Sequence, residues 1–233
     1  MSIHNIISER IRMFIYTQFT TFFRNTNSKN YAKCGKNTDL YGPLNLDPQF
    51  VELDDYVRLQ PNIRLISHGG KLIVKKYSAI GAGTVIIPGS HIPTVGLPQF
   101  LSQTHINDVA TDIIVGEDCW IGSGSYLLSH AKIGRGCVVA AGSIVTKEIP
   151  PYAVVAGSPA KIIASRFSIP QIIKHEAILY SPEERIKKET LEELFDKYFK
   201  DKRFLGTDDI SETDLERLKK AKQDYQMRNF DES

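Results

Sequence analysis

A chain of 233 residues with 42% hydrophobic content can bury a sizeable core, either as one large domain or as a domain with an appendage. Its 29 basic and 27 acidic residues nearly cancel to a formal charge of +2, which argues against nucleic acid and leaves a small molecule or further copies of the chain as the expected partners. Three irregularly spaced cysteines exclude a disulfide framework or zinc cluster; with no signal-peptide pattern and no apolar run of the roughly 20 residues that span a bilayer, the expected location is cytoplasmic.

Residues 1–30 are predicted as a helix. Ile3, Ile6, Ile7, Ile11, Phe14, Ile15, Phe22 and Phe23 fall on roughly one stripe. The expected role of that face is to cap the open end of the domain that follows; the alternative is peripheral contact with a membrane surface, with Arg10, Arg12 and Arg24 at the headgroups.

Residues 31–166 carry a period of six. From Val115 every sixth residue is aliphatic: Ile121, Leu127, Ile133, Val139 and Val145 follow, and four places after the first five come Cys119, Ser125, Ala131, Cys137 and Ser143. The same beat runs through Val74, Ile80 and Ile86, trailed by Ser78, Thr84 and Ser90, and more loosely through Val51, Val57 and Ile63. An aliphatic and a small residue both turned inward every six residues predicts short flat strands, three to a coil, stacked as a parallel β-helix; helical spacings of three and four are absent. Glycine after the aliphatic, at Gly116, Gly122 and Gly134, suggests turns needing unusual backbone angles. Cys119 and Cys137 lie one full coil apart and are expected as stacked core thiols without a basic neighbour to activate them.

The beat stops after Ser90. Residues 92–113 are expected to leave the coil as a loop, and an excursion of that length in a compact domain is usually functional. His91 occupies the outward sixth position at the root of this loop, His105 lies deep in it without a coil to fix it, His130 falls at an outward coil position, and His68 reads as a turn residue in "SHGGK".

Residues 167–233 are predicted as a helical extension. Helices are expected to start near Ile169 and near Pro182, the second with Ser181 as N-cap and Glu184 three residues on, and a charged helix or arm follows from Ser211.

The stretches "IIVGEDCWIGSGS" and "IGRGCVVAAGSIVTKEIPPYAVVAGSPAKII" closely resemble the hexapeptide-repeat acetyltransferases, near the maltose, galactoside and xenobiotic acetyltransferases and the polysaccharide O-acetyltransferases. That resemblance implies a left-handed parallel β-helix, a homotrimer with sites between subunits, acetyl-CoA as acyl donor, no metal, and direct attack by a saccharide hydroxyl. It also implies His91 as general base, eleven residues after Ile80 as in the family. By the same resemblance Ser123 and Ala141 line the pantetheine channel, Thr146, Lys147 and Lys161 lie near the far end of the cofactor, Trp120 borders the groove, and the Ser123 amide serves the oxyanion. His105 is a candidate acceptor contact. The loop "TVGLPQFLSQTHIND" matches no acceptor loop of a subgroup, so acetylation of an antibiotic or of a nucleotide-sugar amine, and a non-enzymatic scaffold, stay open as alternatives. A β-helical carbonic anhydrase would need three converging histidine ligands, and His91, His105 and His130 lack that family's spacing.

Overall fold

In a computed structural model, which describes residues 3–67, 69–225 and 227, the strands visit three sheets in rotation. The first sheet stacks Lys33–Cys34, Val51–Leu53, Leu72–Val74, Ile113–Val115 and Lys132–Ile133, all parallel. The second stacks Asp39–Leu40, Arg58–Leu59, Ala79–Ile80, Trp120–Ile121, Val138–Val139 and Ala153–Ala156. The third stacks Arg64–Leu65, Val85–Ile87, Tyr126–Leu128 and Ile144–Val145. A chain that returns to each sheet once per circuit, always in the same direction, is a parallel β-helix.

The six-residue period defines the interior. Every aliphatic of the beat from Val51 to Val145 is buried, as are Cys119, Ser125, Ala131, Cys137 and Ser143 between them. Each buried Leu or Ile contributes about 1.5–3 kcal/mol, so this column is the main source of stability. The small hydroxyls stay inside because they bond to coil carbonyls: Ser125 Oγ donates to Gly122 O at 2.7 Å and Ser143 Oγ to Ala140 O at 2.6 Å. Ser90 breaks the rule and is exposed, because Gly89–Ser90 pairs antiparallel with Val109–Ala110 instead of turning the corner.

The glycines act differently from the expectation. Gly116, Gly122 and Gly134 are not at positive φ; a Cβ at Gly122 would stand 2.4 Å from Ala141 N, and at Gly116 2.7 Å from Ile133 O. They are required by the close approach of the next coil. Left-handed corners fall instead on Gly83, Gly124, Gly136 and Gly142, and on non-glycine residues such as Tyr56, Asn62, Tyr77 and Asp118.

Pro150 and Pro151 lie within the coil. Ala153–Ala156 adds one more parallel rung, and only then does Lys161–Ser165 reverse against it. Helix Ile169–Leu179 follows, held by the buried Ile172 against Tyr152 and by polar contacts: Arg135 Nη1 donates to Glu176 Oε2 at 2.9 Å, Tyr152 Oη to Glu176 Oε1 at 2.7 Å, and His175 Nε2 lies 2.8 Å from Asp118 Oδ2. The expected helix at Pro182 is a single turn, Pro182–Glu184. Glu184 accepts from Ser181 Oγ at 3.0 Å but is also drawn to Lys76 Nζ at 2.6 Å, and the next helix begins at Lys188. The last helix, Glu212–Asp224, is pinned where Tyr225 Oη donates to Asp39 Oδ2 at 2.9 Å.

The N-terminal helix, Ile3–Phe19 with a wide π turn at Thr20–Arg24, does not cap the coil. Only its end is seated: Asn25 Nδ2 donates to Leu44 O and Leu46 O at 2.8 and 2.7 Å, and Leu44 N to Thr21 O at 3.1 Å. Residues 10–19 are exposed. The side chains of Ile3, Ile6 and Ile7, and His68, lie outside the described residues.

Candidate active site

His91 stands where the third sheet would turn into the first. The loop it opens is organised at its neck by the antiparallel pair of Gly89–Ser90 with Val109–Ala110, and the coil resumes at Ile113. Its return is anchored by Thr111 Oγ1, 3.0 Å from Ser129 Oγ, and by Asp112 Oδ1, which accepts from Lys71 N at 2.9 Å. Inside, a helical turn at Gln99–Thr104 ends on His105, whose φ of 53° aims the chain back toward the coil. The loop is therefore built, not structureless.

Its centre is a carboxylate that the sequence reading missed. Asp108 Oδ2 lies 2.8 Å from His91 Nδ1 and 2.8 Å from His105 Nδ1, and the two rings stack with centroids 5.6 Å apart and planes at 21°. A carboxylate only accepts, so each Nδ1 is the donor, and each neutral ring keeps Nε2 as an unprotonated base. The hydrogen bond from His105, joined by the positive charge that His91 carries when protonated, holds the Asp108 carboxyl below its ordinary range. His105, expected without support, is thus held as firmly as His91. A motif scan has no reason to select Asp108; the available signal was an acid three residues after a loop histidine.

These groups line a cavity of about 290 Å³ with Ile66, Ile87, Pro88 and Val109. Half the ring of His91 is open, with its side chain 44% exposed. His91, His105 and Asp108 also offer ligand atoms within 4.8 Å of one another, a set able to hold a divalent ion.

The remaining candidates divide between two edges of the coil. Ser123 and Ala141 are exposed one above the other at the corner between the second and third sheets, where Gly142 N donates to Ser123 O at 3.0 Å. Among the described residues no hydrogen bond takes up the Ser123 or Ala141 amide. Lys161 continues this edge, since Ala160 N donates to Ile144 O at 2.8 Å and Ile144 N to Gly157 O at 3.0 Å. Trp120 flanks it, outward and 64% exposed. His130, Thr146 and Lys147 lie at the other corner, between the third and first sheets, on the same edge as His91. One chain therefore does not bring His91 to Ser123; the width of the third sheet separates them. The thiols play no part here: Cys119 and Cys137 are buried, and burial together with the neighbouring Cys137 raises the Cys119 thiol well above its ordinary range.

Residues 112–147 match the family model described as bacterial transferase hexapeptide (six repeats). The chain is 36% identical over 115 residues to a chloramphenicol acetyltransferase of Morganella morganii, covering 44% of this chain and 55% of that one, so it spans about half the length of that relative. It is 31% identical over 136 residues to the "Putative colanic acid biosynthesis acetyltransferase WcaF" of Escherichia coli (strain K12), covering 58% of this chain and 70% of that protein. Among solved structures, a hexapeptide-repeat acetyltransferase of Vibrio cholerae O1 biovar eltor in complex with acetyl coenzyme A superposes with a TM-score of 0.53 at 23% identity, covering 60% of this chain and 74% of that one. That likeness is one of fold.

Proposed function

This chain belongs to the hexapeptide-repeat acetyltransferase family, and from that premise we propose that it moves an acetyl group from acetyl-CoA to a saccharide hydroxyl, on a left-handed coil assembled as a trimer. The observation that carries the reading is the Asp108–His91 pair, which makes Nδ1 the donor and so leaves Nε2 as the basic nitrogen of the neutral ring. His91 Nε2 takes the acceptor proton as the hydroxyl oxygen attacks the thioester carbonyl. The Ser123 amide of a neighbouring copy donates to the oxyanion, and collapse expels the CoA thiolate, which recovers the proton from His91. No acyl-enzyme is needed. Ala141, Thr146, Lys147 and Lys161 hold the donor, the lysines at its phosphates, and Trp120 borders the groove. His105 meets the acceptor beside His91.

The two-edge division supports assembly between copies, since the edge with His91 and Lys147 has to meet the edge with Ser123, Ala141 and Lys161. A saccharide acceptor is taken from the relative named for colanic acid biosynthesis, which is 31% identical over 58% of this chain.

The test is His91→Ala. Loss of a positioned base should lower kcat by about 10²–10⁴-fold with acetyl-CoA binding retained, and a variant keeping half the wild-type rate refutes the assignment. A chelator should leave the rate unchanged, because the imidazoles act as bases and not as ligands. A panel of acceptors including oligosaccharides and chloramphenicol separates the saccharide reading from antibiotic acetylation, which the first relative favours.

A further inference from the structure

We infer that the N-terminal helix docks the protein on an anionic lipid surface. The helix carries large apolar side chains that the coil leaves uncovered. At the seated end Thr20, Thr21 and Arg24 are partly buried against the coil, while Phe22 and Phe23 between them are 46% and 68% exposed. One to three turns earlier, Ile11, Phe14, Ile15, Tyr16 and Phe19 are more than half exposed. A soluble helix buries its apolar stripe and wets its polar one. Here the hydroxyls of Thr20 and Thr21 are spent on the helix itself, donating to Thr17 O at 3.0 and 2.8 Å, and at the seated end it is Thr20, Thr21 and Arg24, not the phenylalanines, that meet the protein.

Charge selects the occupant. From residue 10 to residue 38 the chain carries Arg10, Arg12, Arg24, Lys29, Lys33 and Lys36 and not one acidic residue. Lys33 is paired with Asp54 and Arg24 lies 3.5 Å from Asp47, whereas Arg10, Arg12 and Lys29 are exposed. The helix itself carries Arg10 and Arg12 against a single acid, Glu9, so packing it on the same helix of a second copy would set an excess of like charge against like. An anionic bilayer satisfies both features: phenylalanine and isoleucine enter the acyl boundary and the arginines meet the headgroups. No helix among the described residues is long and apolar enough to cross a membrane, so the helix would lie in the interface.

The experiment is co-sedimentation of the full chain with phosphatidylcholine vesicles, with and without phosphatidylglycerol. Binding is expected on the anionic vesicles. The double variant Arg10→Gln, Arg12→Gln should lower partitioning by about fivefold per charge removed, roughly twenty-five-fold together. Phe14→Ser, Phe19→Ser, Phe23→Ser should abolish binding while acetyl transfer to a soluble acceptor and the solution mass stay as in the wild type. The inference is overturned if wild type binds neither vesicle, if the arginine variant binds as wild type does, or if the phenylalanine variant falls to a smaller assembly, which would place the helix between copies. Should the phenylalanine variant misfold, the arginine variant decides alone.

Discussion

One carboxylate oxygen serves two bases: Asp108 Oδ2 accepts from Nδ1 of both His91 and His105 at 2.8 Å. The arrangement fixes two imidazoles in the same tautomer at the mouth of one cavity. Neither ring can turn its Nδ1 outward without giving up its hydrogen bond to the carboxylate.

Asp108→Asn should therefore cost rate and leave the CoA edge alone. The amide keeps the shape but loses the charge, so His91 is free to adopt the tautomer with its proton on Nε2. A fall in kcat of about 10–10²-fold, smaller than the loss of the base itself, is expected, with KM for acetyl-CoA unchanged. The sign of the pH effect follows from the depressed carboxyl. Because the folded group titrates below its unfolded value of about 3.9, its interaction is fully present above that value and is lost only as pH falls through the depressed one. Asp108 thus stays ionised through the working range. An acid limb of kcat/KM in the ordinary carboxylate range that vanished in Asp108→Asn would contradict this.

Thiol reagents at mildly alkaline pH should leave Cys119 and Cys137 unmodified in the folded protein and label both in denaturant. Their sulfurs face coil carbonyls, Cys119 Sγ at 3.1 Å from Gly134 O and Cys137 Sγ at 3.0 Å from Pro150 O, and burial holds the Cys119 thiol protonated. Cys34, half-buried with its thiol also pushed up by burial, should react slowly. Mass spectrometry of labelled peptides reads all three. Rapid labelling of Cys119 in active protein would show that the coil opens there.

The coil was legible because its signal is repeated and local. Ile121, Leu127 and Ile133 each announce the same inward position, and a chance match cannot survive so many registers. The loop was legible only as an interruption. What organises it, the approach of Asp108 to His91 across seventeen positions and the pairing of Ser90 with Val109, depends on how the excursion folds back, and single residues without a period carry no such information. The N-terminal helix was misplaced for a related reason. An apolar stripe specifies that a face seeks cover, but Thr20 and Thr21, not the phenylalanines, turned out to face the protein.

Gly122→Ala should damage folding although alanine is the mildest of side chains. The added Cβ would stand 2.4 Å from Ala141 N, 2.7 Å from Val139 O and 2.8 Å from Ala140 C, all backbone of the next coil and none able to rotate away. The coils must part, which breaks the small-residue column, and a loss of about 1–3 kcal/mol or more is expected. Gly142→Ala meets nothing within 4 Å and suffers only from its φ of 69°, a cost of about 1–2 kcal/mol. Denaturant melts of the pair compare close approach with backbone angle directly. Equal midpoints would mean that the coils have slack.

The division of the site between two edges makes a prediction that no single variant can test. His91→Ala disables the edge between the third and first sheets, while Ala141→Glu places a charge on the edge between the second and third, where Ala141 is exposed beside Ser123. Each variant alone should be nearly inactive. If every site takes one edge from each of two neighbouring copies, then co-refolding the two variants in equal amounts creates seams in which a sound His91 edge meets a sound Ala141 edge. Random closed assembly makes about one seam in four of that kind, so about a quarter of the wild-type rate should return. Refolding each variant separately and then mixing should restore nothing until subunits exchange. If the site lay within one chain, no mixture would recover, because every chain carries one lesion, and the assignment of Ser123 and His91 to a shared site between copies would fail.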